Sequence, residues 1–143
     1  MTIMRSARFG FTLIELLVAI AILAILAAVV GPLLLGRIDE AKRTGTKSNL
    51  KNIQSAINMF KLDVGKYPAS LRNLVEKPRE EALAKKWQKG GYLEGGELPK
   101  DAWGEDFQYK VTPGGKNPYE LYSYGSQGPG APNNEWYSVW AMD

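Results

Sequence analysis

From Phe11 to Leu35 the chain carries only two polar side chains, Thr12 and Glu15. At 1.5 Å per residue a helix over this stretch is roughly 37 Å long, enough to cross a ~30 Å hydrocarbon core with some tilt. A soluble core in a 143-residue protein has no use for so long a helix that is apolar on every side. The run therefore belongs in a membrane for at least part of the protein's life. Glu15 is then the anomaly, because a carboxylate at the centre of a membrane helix costs about 2.5–3.5 kcal/mol.

Composition narrows what the rest of the chain does. The length suits one domain, and the formal charge of +3 is modest, with Arg5 and Arg8 both in the first ten residues. The remaining charge is nearly balanced, so a pI near 9.1 gives no reason to assign a nucleic-acid partner. Without cysteine there is no disulfide, thiolate nucleophile or Cys-ligated metal. Without histidine, a Ser-His-Asp triad, a His-zinc site and a near-neutral imidazole base are excluded. The closest string to a phosphate loop, GPLLLGR at Gly31 to Arg37, lacks the lysine and ends an apolar run. Glu80-Glu81 and Glu105-Asp106 are paired acids, but adjacent acids on a polar segment read as a solvated surface. The chain is not read as an enzyme.

Three readings of the N-terminus compete. An ordinary secretory signal would use Arg5 and Arg8 as its basic region and Ala19-Ile20-Ala21 as a cleavage site, yet the apolar run continues past that site. A plain single-pass anchor explains the length but not Glu15. A class III signal is cut after Gly10 on the cytoplasmic face and leaves the apolar helix on the mature protein. The string G-FTLIE, Gly10 to Glu15, resembles the prepilin signature: a short basic leader, glycine before the cut, phenylalanine as new first residue, glutamate as fifth. This resemblance implies removal of residues 1–10 and N-methylation of Phe11. The new Phe11 amine and Glu15 are each costly alone in lipid, and as a pair between neighbouring subunits they compensate. An intrachain pair at i and i+4 satisfies the same geometry. Pro32 removes a backbone donor late in the span, so a kink or local opening is expected there. In similar filament proteins the corresponding proline marks a stretch that unwinds on packing. A bare count of Arg37, Lys42, Arg43, Lys47 and Lys51 against Arg5 and Arg8 would put the C-terminal domain in the cytoplasm. The prepilin resemblance implies the opposite, with the leader cytoplasmic.

Beyond Leu35 the pattern turns amphipathic. Ile38, Ala41 and Gly45, then Leu50, Ile53, Ile57, Phe60 and Val64, recur at spacings of three and four and predict one buried helix face. Gly65 and Tyr67-Pro68 stop the helix. Short helices are predicted at 71–76 and 80–89, a strand at 107–111, a hairpin connection at 113–118, its partner strand at 120–124, and a third strand within 136–140. So small a sheet buries its apolar face only against the long helix, giving an α+β domain with a small antiparallel sheet; the prepilin resemblance implies that this fold is pilin-like. Trp136, Tyr137 and Trp140 read as packing rather than a ligand platform. The division is leader 1–10, membrane and filament-core helix 11–35, and periplasmic globular domain 36–143.

Downstream strings separate the prepilin relatives. KYP at 66–68, LVEKP at 74–78, WQKGGYL at 87–93, LPKDAWG at 98–104, FQY at 107–109 and YELYSYG at 119–125 occur in that order. Together they resemble the type II secretion protein G family, the major pseudopilins; type IV pilus and competence pilins are the alternative. The resemblance implies a helical homopolymer in the periplasm that drives folded proteins through the outer membrane. Its partners would be minor pseudopilins, the prepilin peptidase and N-methyltransferase, the inner-membrane assembly platform and the bilayer. The family's last loop is glycine-rich, carries aspartates and binds calcium. Here it reads GSQGPGAPNNEW, residues 125–136, with Gln127 where the first aspartate is expected and Asn133, Asn134 and Glu135 in the region of the later ones. One carboxylate is a poor charge count for an ion that takes six to eight oxygens. Two alternatives follow: a weak calcium site, or a loop held by Pro129, Pro132 and its own hydrogen bonds.

Overall fold

The computed structural model describes residues 10–141. Arg5, Arg8 and the rest of the leader ahead of Gly10 lie outside them. The chain divides into two units, Met1–Asp39 and Glu40–Asp143. Helix α1, Leu13–Val64, supplies residues to both.

In the first unit the residues of α1 from Leu13 to Leu35 are apolar, Glu15 aside, and unburied. Phe11 is 91% exposed and Leu35 68%, and no residue between them is buried. A contiguous apolar surface of this extent needs lipid or other helices to cover it. Helical backbone continues through Gly31 and Pro32 without a break, so the local opening expected at Pro32 does not occur in the single chain. Proline here deletes one N–H while the turns on either side keep theirs.

The second unit is built on the C-terminal part of α1. Leu50, Ile53, Ile57, Phe60 and Val64 are buried as the periodicity predicts, and Thr46 and Ala56 join them. Ile38, Ala41 and Gly45 do not: Ile38 is 51% exposed and the other two are exposed. The buried face starts at Thr46, because that is where the 98–106 loop reaches the helix: Ala102 N–H donates to Thr46 Oγ1 at 3.1 Å, and Asn49 Nδ2 to the Lys100 carbonyl at 3.1 Å. At the other end Gly65 N–H closes the last turn on Lys61 O.

Chain 65–107 wraps the helix in short pieces. A 3-10 turn, Leu71–Leu74, replaces the longer helix predicted at 71–76, and Ser70 N–H is taken by Asn73 Oδ1 at its start. Helix α2, Glu81–Ala84, is one turn rather than a run over 80–89. It ends where Trp87 turns inward, its Nε1 donating to Asn73 O at 2.8 Å and its ring meeting Tyr92 edge-on. In GGYL the second glycine is required: Gly91 has φ +85°, and a Cβ there would lie 2.8 Å from the Leu74 carbonyl oxygen. That carbonyl accepts the Tyr92 N–H at 2.7 Å.

Three antiparallel strands follow in the order β1 (Gln108–Val111), β2 (Tyr119–Ser123), β3 (Tyr137–Ser138). Tyr109 pairs with Leu121 and Val111 with Tyr119, while Ser123 pairs with Tyr137. Strand β2 alternates, with Tyr119, Leu121 and Ser123 buried and Glu120 exposed. Its apolar face shares one core with α1: Leu50, Ile53, Ile57 and Phe60 from the helix, Phe107, Tyr119, Leu121 and Val139 from the sheet side. Each such side chain stabilises by about 1.5–3 kcal/mol on burial. The α+β reading is correct, and β3 is the two-residue core of the segment predicted at 136–140.

Candidate assembly and loop sites

At the N-terminus, Thr12 stands just ahead of the first helical residue, Leu13, and Glu15 is the third residue of the helix. Thr12 N–H and Thr12 Oγ1–H both donate to Glu15 Oε2 at 2.9 Å, and Glu15 N–H returns to Thr12 Oγ1 at 3.3 Å. This is a reciprocal capping box, which satisfies two orphan donors of the helix start and holds the carboxylate over it. The role of Thr12 was missed in the sequence reading. The T-x-x-E spacing ahead of an apolar run was its signal. In the full chain the Phe11 nitrogen is a peptide nitrogen and not an amine, and it offers Glu15 no charge. Gly10 is exposed and a Cβ there would meet nothing within 4 Å. Pro32 is exposed on the same apolar run.

The second site is the junction of the 98–106 loop, β2 and the last loop. Asp101 is 5% exposed. Its Oδ1 accepts the N–H groups of Trp103 and Glu105 at 3.0 and 2.9 Å, and its Oδ2 accepts Ser123 Oγ–H at 2.6 Å. Ser123 Oγ in turn accepts Gly125 N–H at 3.0 Å, at the entry to the last loop. One carboxylate thus ties the LPKDAWG segment to the end of β2. The aspartate was legible only as part of a family string, since its partner Ser123 lies 22 residues away.

The last loop has two 3-10 turns, Gly125–Gly130 and Asn133–Glu135. Gln127 Nε2 donates to Glu135 Oε2 across it. Trp136 Nε1 donates to the buried Ala131 carbonyl at 2.9 Å, and its ring stacks on Tyr122 with centroids 4.5 Å apart and planes 3° from parallel. Gly125, with φ +74°, lies under the Tyr137 ring, which a Cβ would meet at 2.8 Å. Trp140 Nε1 donates to Tyr119 O at 2.8 Å, so the C-terminal aromatics pack as read. Asn133, Asn134 and Glu135 are exposed, and among the described residues no three Asp or Glu side chains come together. This donor set does not fit calcium: the one carboxylate is held by an amide N–H donor, where an ion would need oxygen. Three of the four paired acids face cations instead, with Glu80, Glu81 and Asp106 within 3.4, 3.0 and 3.6 Å of Lys66, Lys85 and Lys100, all exposed.

Comparison with known proteins begins at the N-terminus: residues 5–31 match the prokaryotic N-terminal methylation motif. Residues 33–138 match the type II secretion system (T2SS) protein G family. The type II secretion system core protein G of Pseudomonas aeruginosa is 46% identical over 127 residues, covering 87% of each chain. That of Klebsiella pneumoniae is 37% identical over 129 residues, covering 88% of this chain and 90% of its own. The crystal structure of the major pseudopilin from the type 2 secretion system of enterohaemorrhagic Escherichia coli superposes with a TM-score of 0.61 at 32% identity, covering 76% of this chain and 95% of that one. The chain belongs to the type II secretion protein G family: it is a major pseudopilin, a structural subunit and not an enzyme. Family membership implies prepilin processing and pseudopilus assembly, and the apolar helix is consistent with anchoring in the inner membrane.

Proposed function

We propose that the chain is made as a precursor spanning the inner membrane, with residues 1–10 cytoplasmic and residues 36–143 periplasmic. A prepilin peptidase and N-methyltransferase cuts between Gly10 and Phe11 and methylates the new amine. The mature subunit is then drawn by the assembly platform into a periplasmic homopolymer, joined by minor pseudopilins, whose growth pushes folded proteins through the outer membrane. The observation that carries this reading is the unburied apolar face from Phe11 to Leu35 on a chain whose other unit has a complete core. Lipid covers such a face before assembly and other copies cover it afterwards.

Glu15 has two partners in this sequence of events. Before cleavage the carboxylate caps its own helix through Thr12. After cleavage a neighbouring subunit's Phe11 amine offers a full charge, and the pair sets the register of the bundle. Pro32 supplies the position at which the helix gives way as subunits pack. Mass spectrometry of the chain from cells with and without the peptidase tests the processing: the mature form should begin at Phe11 and carry one added methyl. A mature protein that retains residues 1–10, or begins after Ala21, refutes it.

A further inference from the structure

We propose that the last loop, residues 125–136, closes without calcium, and that an amide–carboxylate link and an indole clamp do the work an ion does in the resembling loops. Three independent observations point this way. The sole carboxylate of the loop, Glu135, accepts a hydrogen bond from Gln127 Nε2, so the two arms are already joined. A bound cation would have to break that link and turn the Gln127 amide over before it met an oxygen there. Trp136 anchors the returning arm twice, through Nε1 to Ala131 O and through its stack on Tyr122, with Tyr124 meeting the same indole edge-on at 5.2 Å. Finally, Arg43 and Lys47 of α1 line the cavity of about 560 Å³ that Gln127, Asn134 and Glu135 border. Two cationic side chains border the same cavity and raise the cost of bringing a divalent cation into it.

The consequence is a subunit whose fold does not depend on the calcium level of the compartment. This inference concerns how one loop closes and stands whether or not the chain drives export. The test is thermal unfolding of the full chain in detergent micelles, followed by tryptophan fluorescence. It is run in a chelator and in calcium up to about 10 mM, above the dissociation constants of weak extracellular sites, with magnesium as control. The wild-type midpoint should move by less than about 1 °C, a small shift for a domain of this size, and no differently in calcium than in magnesium. A saturable rise of several degrees specific to calcium overturns the proposal. Gln127→Glu keeps the shape, removes the donor and sets a second carboxylate against Glu135. It should melt below wild type in chelator. A Gln127→Glu chain that melts like wild type in chelator shows that the amide is not closing the loop, and the proposal fails.

Discussion

Asp101 holds its own loop and ties it to the end of β2, and its removal should be correspondingly costly. Asp101→Ala strips the acceptors from Trp103 N–H and Glu105 N–H and leaves Ser123 Oγ, fully buried, with no acceptor for its proton. Hydrogen bonds to charged groups contribute about 1.5–3 kcal/mol each, and the three share one carboxylate, so their losses do not add. A total of about 3–5 kcal/mol follows, comparable to breaking one partner out of a buried polar pair. Asp101→Asn keeps an Oδ1 acceptor for both N–H groups and disturbs only the Ser123 contact, so about 1–2 kcal/mol is expected. Ser123→Ala should fall in the same range and, combined with Asp101→Asn, should add little. Urea unfolding of the full chain in micelles, followed by circular dichroism, gives each value and the coupling. If Asp101→Ala lies within about 0.5 kcal/mol of wild type, the range of ordinary surface changes, the junction is not held as described.

Other perturbations have equally definite outcomes. Gly91→Ala forces a side chain into φ +85° and against the Leu74 carbonyl, and should cost about 2–4 kcal/mol in the same urea assay. Tyr119→Phe should be neutral or slightly stabilising by calorimetry, because the buried Tyr119 Oη has no hydrogen-bond partner of good geometry. Burial pushes the phenols of Tyr109, Tyr119 and Tyr92 upward, for Tyr109 with added opposition from Tyr119 and Tyr67. A folded-state value above the unfolded one means stability that is complete below about pH 10 and falls as pH rises past it. Melting temperatures between pH 8 and pH 11, read with tyrosinate absorbance, should drop only in the upper part of that window.

Where the sequence was informative, the signal was local. The apolar run, the spacing of Leu50, Ile53, Ile57, Phe60 and Val64, and the turn residues around 113–118 each report on neighbours a few positions away. The resulting elements are close to those observed. The extension of the buried face to Ile38, Ala41 and Gly45 failed because periodicity says which face is apolar and not how far the partner reaches. The contact that sets the limit, Ala102 to Thr46, joins residues 56 apart. The Asp101–Ser123 junction, 22 residues apart, is hidden for the same reason, while the Thr12–Glu15 cap is local, with its partners three positions apart. In the last loop, Gln127 and Glu135 were read as substitutes for ligands. Their side chains face each other instead, a relation that depends on how the two 3-10 turns fold back.

The role proposed for Glu15 is that of a pairable carboxylate that turns a membrane helix into a filament subunit moving other proteins outward. The most direct measurement deletes the gene, complements it with wild type or Glu15→Ala, and compares exported proteins in the periplasm and the culture fluid, with surface pili scored in the same cells. With that role, exported proteins accumulate in the periplasm of the deletion, wild type restores export while Glu15→Ala does not, and pili persist throughout. Normal secretion in the deletion, with pili or DNA uptake lost, would contradict it and assign the same helix to a different machine.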